Sequence, residues 1–178
     1  MNAAKKLRAS VLAIPRSDAD SGRAFLSTAT IQSADGLLAQ LTVGVGQLAA
    51  YRNDLDWTRA HLRRILGFAA GWIVCLGEKQ WEAKVNAERD RQEELFRTGK
   101  LTFNCSSLTV CVQRKLRVLV EEVGEVAEAI DTLEQVRNTN RTKAWAAADA
   151  HLLEELIQVA AVAVGWLEAL ETSTKGTK

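Results

Sequence analysis

The stretch VLVEEVGEVAEAI, residues 118–130, decides how the rest of the chain is read. With Val123 at zero on a wheel of about 100° per residue, Leu116, Leu119, Val120, Val126, Ala127 and Ile130 fall within roughly 60° of it. That is the core stripe of an amphipathic helix. Glu122 and Glu125 sit at about −100° and −160°, spaced i and i+3 so that their carboxylates share a second face, with Val118 and Ala129 between them in angle. Such small and apolar neighbours predict a second helix packed over the acids. A carboxylate placed there needs a cation or strong donors, because an uncompensated buried anion is costly.

A matching pair lies downstream in HLLEELIQVAAVAVGWLEAL, residues 151–170. Glu155 and Gln158 are again i and i+3, and Gln158 is the one polar residue in an otherwise apolar or glycine run over 156–167. Twenty-nine residues separate Glu125 from Glu155, enough for one helix to end, a loop to turn and a second helix to return antiparallel. EExxE alone is common on solvated, salt-bridged helices. The second pair, on a helix otherwise stripped of polar groups, tips the reading to a metal site formed by Glu122, Glu125, Glu155 and Gln158. Hard oxygen donors suit Mg²⁺, with Mn²⁺ the second choice, and leave coordination positions for water and phosphate.

Working outward, residues 1–32 are mixed, broken by Pro15 and the polar run 16–23, with a short helix expected over 24–31. Helices are expected over 37–51, 54–76, 78–97, 108–136 and 144–170, with loops over 98–107 and 137–143. His61, on the second of these, reads as a partly buried neutral side chain. No run alternates like a strand, so the class is all-α, an antiparallel helical bundle. The segments VGQLAAYRNDL (45–55) and VGEVAEAIDTL (123–133) share apolar pattern and glycine placement, as do FAAGWIVCL (68–76) and VAVGWLEAL (162–170). Duplication and shared composition both account for the echo. Under duplication, Gly44 and Gln47 stand where the second copy has Glu122 and Glu125.

Totals bound the function. Lys and Arg number 23 against 22 Asp and Glu, a net charge of +1, which gives no electrostatic footprint for a nucleic-acid polymer or an anionic membrane. Cys75, Cys105 and Cys111 form neither an even disulfide framework nor a metal knuckle. The unbroken apolar runs over 67–77 and 156–167 fall short of the roughly 18 residues of a spanning helix, and the N-terminus lacks a secretory core. A cytoplasmic protein with no membrane partner is therefore expected.

Through ERDRQEELF, RKLRVLVEEVGEVAEAI and LLEELIQVAAVAVGWLEAL, from about residue 88 to 171, the chain resembles the MazG-like all-α nucleoside triphosphate pyrophosphohydrolase superfamily. That family carries ExxE on one helix and ExxD on another, in a helical bundle that assembles as a homodimer or homotetramer around Mg²⁺. The resemblance assigns metal-ligand places to Glu122, Glu125 and Glu155, and puts Gln158 where the family has aspartate. It implies cleavage between the α- and β-phosphates of a nucleotide substrate. Glu122 or its neighbour Glu121 would orient or deprotonate the attacking water.

The chain then divides into an N-terminal segment (1–32), a helical hairpin (33–78), metal- and nucleotide-binding helices (79–171) and a flexible tail (172–178). Lys115, two turns before Glu122, is the preferred phosphate ligand, with Arg114, Arg117, Arg141 and Lys143 as other cations. Phe96, Phe103 and Trp81 are the aromatics available to stack on a base. Two rival readings follow from the same residues. In one, Gln158 marks a catalytically degenerate relative that binds nucleotide or a protein partner. In the other, the glutamates pair with Arg114, Arg117 or Arg141 in an assembly module.

Overall fold

A computed structural model describes residues 3–12, 34–137 and 142–175 of the chain. Every regular element among them is a helix: α1 (Ala3–Leu12), α2 (Ala34–Ala50), α3 (Leu55–Cys75), α4 (Trp81–Arg97), α5 (Val112–Arg137) and α6 (Thr142–Lys175). The expected helix over 24–31 and the cation Arg141 lie outside the described residues.

Two helical hairpins build the bundle. In the first, Ile65 of α3 packs against Gly44 of α2, while Tyr51 at the turn stacks on Trp57 with ring centroids 5.0 Å apart. In the second, Trp145 donates its indole N–H to the Val136 carbonyl at the turn, and Glu125 meets Glu155 farther along. Contacts near the turn and again well away from it mean antiparallel helices in both cases. The hairpins then join like to like, α2 on α5 and α3 on α6, which closes a four-helix ring. Helices α1 and α4 lie against α6 outside that ring.

Helix α6 is consequently covered by four others, and every residue from 159 to 170 is buried. Helices of the same chain thus supply the cover of this segment. The stretch Lys143–Ser173 is long and apolar enough to cross a membrane, with mean hydropathy 1.4 in its best window, and 67% of that window is buried against protein. Counting unbroken apolar runs missed this, because the few charges that interrupt the stretch are spread along it.

Several boundaries differ from expectation, each for a local reason. Gly77 at φ 93° ends the α3 turn, and Glu78 accepts a hydrogen bond from the Gln80 backbone N–H, so α4 starts at Trp81 rather than at 78. Gly99, at φ 73°, turns the chain out of α4. The Asn104 side chain then accepts from the Ser106 N–H, and α5 starts only at Val112. At the far end α6 continues to Lys175, into what was expected to be the tail, while Thr172 and Ser173 bond back to the carbonyls of Glu168 and Ala169.

Helix α1 falls in the segment read from sequence as partly irregular. It is fastened by Arg8, which is 3% exposed and donates to Glu168 of α6 at 2.8 Å and to Asp90 of α4 at 2.6 Å. Arg89 of α4, fully buried, reaches the other oxygen of Glu168 at 3.0 Å and the Asn104 side chain at 3.2 Å. Its guanidinium lies over Gly165, where a methyl group would come within 3.0 Å of the central carbon. One carboxylate thus ties three helices and a loop together. Glu168→Leu would leave two buried guanidinium groups with only the more exposed Asp90 and Glu93 as acidic partners, and a loss of roughly 3 kcal/mol in urea-unfolding stability is expected.

Candidate metal centre

The buried stripe of α5 is rotated from the one that the wheel predicts. Val120, placed in the core stripe, is 51% exposed, whereas Ala129 is fully buried and Lys115 is 4% exposed. Those positions lie at about +60°, −120° and −80° on the wheel, so the interior is centred roughly 50° toward the glutamate side. The cause is that α5 touches two neighbours, α6 and α2, rather than one. Glu122 is thereby drawn to the edge of the interior and becomes half-buried.

One oxygen from each of Glu122, Glu125 and Glu155 lies within 4.8 Å of the others. Glu155 is 7% exposed and Glu125 is exposed, so the cluster opens outward from a buried floor. The Gln158 amide donates to one Glu155 oxygen at 2.7 Å, and His151 Nδ1 lies 3.3 Å from the other. Glu122 Oε2 is buried without a hydrogen-bond partner. No arginine or lysine among the described residues forms an ion pair with any of the three.

The electrostatic consequence is pronounced. Burial pushes the Glu122 carboxyl up to about 8, and the charges of Glu125, Glu155, Glu121 and Glu88 add to the rise. Glu155 is raised as well, chiefly by burial and then by Glu125, with His151 and Gln158 acting against them. Three converging carboxylates with one orphaned buried oxygen fit a hard divalent cation, which supplies the missing charge and accepts that oxygen as a ligand. Gln158 has a carbonyl oxygen to offer but no charge.

Other residues singled out from sequence are dispersed. Glu121 is exposed on the neighbouring face of α5, one turn before Glu125, in a cleft of about 410 Å³ with Phe103, Arg114 and Arg117. There Arg114 lies over the Phe103 ring, 4.0 Å from its centroid, and donates to the Thr102 hydroxyl. Lys115 points inward, and burial lowers its pKa while Cys105 and Cys111 oppose the shift. Phe96 is 43% exposed and lines neither this cleft nor the one described next. Lys143 stands in the first turn of α6, about 18 Å along the helix from Glu155. His61 is 6% exposed and its pKa is lowered by burial and by Arg64, in keeping with a neutral ring.

Sequence reasoning missed the second wall of the site. Lys84, Ala87, Glu88 and Arg91 of α4 face Glu154, Ile157 and Gln158 of α6 across a cleft of about 440 Å³. The α4 residues recur at i, i+3, i+4 and i+7, one face of a helix, and that spacing was the available signal.

Glu122 gives the metal-free protein a defined pH response. Its folded value of about 8 exceeds the ordinary 4.5, so the fold favours the protonated acid; this stabilisation is complete below about 4.5 and is lost as the pH rises through about 8. The melting temperature without divalent cations is expected to fall across that window, and Glu122→Gln to flatten the slope, as read by scanning calorimetry at a series of pH values. Compared with protein-family models, with curated proteins and with solved structures, the chain has no significant match in any of the three.

Proposed function

We propose that the chain is a Mg²⁺-dependent nucleotide pyrophosphohydrolase that converts a nucleoside triphosphate to the monophosphate and pyrophosphate. The observation that carries this reading is the meeting of Glu122, Glu125 and Glu155 within 4.8 Å, with Glu122 Oε2 buried and unpartnered. The resemblance of residues 88–171 to the MazG-like pattern supports it. Glu122, Glu125 and Glu155 would hold the cation, with the Gln158 carbonyl as a neutral fourth donor. A bound Mg²⁺ supplies charge neutralisation at the phosphates and polarises their oxygens.

The remaining work falls to the chain. Lys84 and Arg91 line the cleft beside the cluster and suit polyphosphate oxygens, Arg91 through a planar two-pronged donor. The cluster carboxylates orient a water, and one of them takes its proton as the water oxygen attacks the α-phosphorus. The bond to the bridging oxygen breaks, and pyrophosphate leaves with that electron pair. Glu122, inside the cluster, takes the base role, and Glu121, one turn from Glu125 and exposed, is the other carboxylate near enough to orient the water.

The degenerate reading retains one observation in its favour, the neutral amide of Gln158 against Glu155. Incubation with a panel of ribo- and deoxynucleoside triphosphates plus Mg²⁺ separates the two. Release of pyrophosphate and monophosphate is expected, with turnover at least about 100-fold lower in Glu122→Gln. Nucleotide binding without turnover, with hydrolysis gained in Gln158→Asp, would instead establish the binding protein.

A further inference from the structure

We propose that Glu88 of α4 is the fourth carboxylate of the cation site, supplying the charge that Gln158 lacks, and that Arg91 holds it in reserve until a cation arrives. This inference rests on the metal-dependent reading above and adds a third helix to the ligand set.

The placement comes from the cleft. Glu88 and Gln158 line it from opposite walls, and Gln158 is hydrogen-bonded to Glu155, which belongs to the cluster. Helix α4 is held against α6 by the fully buried Arg89, the next residue along, through its bond to Glu168. The backbone that carries Glu88 is therefore held along the cleft that Gln158 lines from the other wall. The Glu88 side chain is 13% exposed, so it already faces protein rather than solvent. Glu122 feels the charge of Glu88, and Arg91 feels the charge of Glu122, so the pair and the cluster share one electrostatic environment.

The present partners of Glu88 explain why it does not already belong to the cluster. Arg91 grips it with two donors, at 2.6 and 2.7 Å, and Gln92 donates to it at 2.9 Å. A fourth carboxylate turned toward three others would be repelled while no cation is bound. A guanidinium is the better partner in that state. Arg91 is 55% exposed, and an ion pair so open to solvent is weak enough for a divalent cation to displace it. Once Glu88 turns to the cation, the freed guanidinium faces the same cleft beside Lys84, where phosphate oxygens can take the place of the carboxylate. Metal loading then prepares the polyphosphate site in the same movement. An ordinary i, i+3 surface ion pair would have no effect on cation affinity, and this difference makes the proposal testable.

The probe is Mn²⁺ without nucleotide, its free concentration followed by electron paramagnetic resonance. Glu88→Gln is expected to weaken Mn²⁺ binding about tenfold or more, the scale of losing a supporting group at a metal site. Gln158→Asp is expected to tighten Mn²⁺ binding by a larger factor in the Glu88→Gln background than in the wild type, recovering most of that loss, whereas a merely structural role for Glu88 would give the same factor in both. Arg91→Met is expected to tighten Mn²⁺ binding while weakening retention of inorganic pyrophosphate. Melting curves establish that each variant is folded, and Glu88→Asp, which keeps the charge on a shorter arm, decides the question if Glu88→Gln is not. Equal affinity in wild type and the Glu88 variants, with Glu122→Gln losing the ion, would overturn the role of Glu88 and leave the metal site standing. Failure of the double variant to recover would overturn it too. A wild-type protein that binds no Mn²⁺ would overturn both readings.

Discussion

From residue 155 to 170 helix α6 is largely buried, and the polar groups it carries there must be answered by a neighbour. It holds two buried glutamates that are answered in opposite ways. Glu168 receives Arg8 and Arg89, two guanidinium groups on two other helices. Glu155, also buried, receives an amide, a histidine and two further carboxylates. The first arrangement is complete as it stands and serves the fold. The second has surplus negative charge, with no arginine or lysine among the described residues paired to it, which is why one glutamate of the same helix reads as architecture and the other as a candidate site.

Much of this was legible in the chain because it depends on local spacing. The i, i+3 placement of Glu122 with Glu125 and of Glu155 with Gln158, on helices of apolar character, was enough to bring the three acids together. The rotation of α5 was not legible, since the wheel assumes a single covered side and α2 supplies a second; Val120 and Ala129 exchange places for that reason. Lys115 looked like a phosphate ligand from its distance to Glu122, yet the same rotation turns it inward. Arg8 meets Glu168 across 160 positions, and no periodicity in either segment announces such a pair. Helix α4 is charged over most of its length. Its buried guanidinium and the cleft beside it exist only because α6 lies where it does.

The echo between the two halves gains weight from the way in which the hairpins pack, each helix against its counterpart. At the position matching Glu122, Gly44 lies so close to Ile65 that even a methyl group would come within 2.9 Å of it. Gln47, matching Glu125, keeps a buried side-chain oxygen without a partner. The first hairpin has closed against itself where the second stays open. Bundle symmetry and chemical asymmetry thus coexist, and the catalytic prospects of the chain rest on one half of the ring.

The central helix is also the last of the described helices to be synthesised. Until it emerges, the earlier helices share a vacant slot lined by leucine and isoleucine, and the emerging segment is itself greasy enough to attract lipid or another nascent chain. Assembly of this bundle therefore waits on that helix, and the ring cannot close piece by piece as the earlier helices appear.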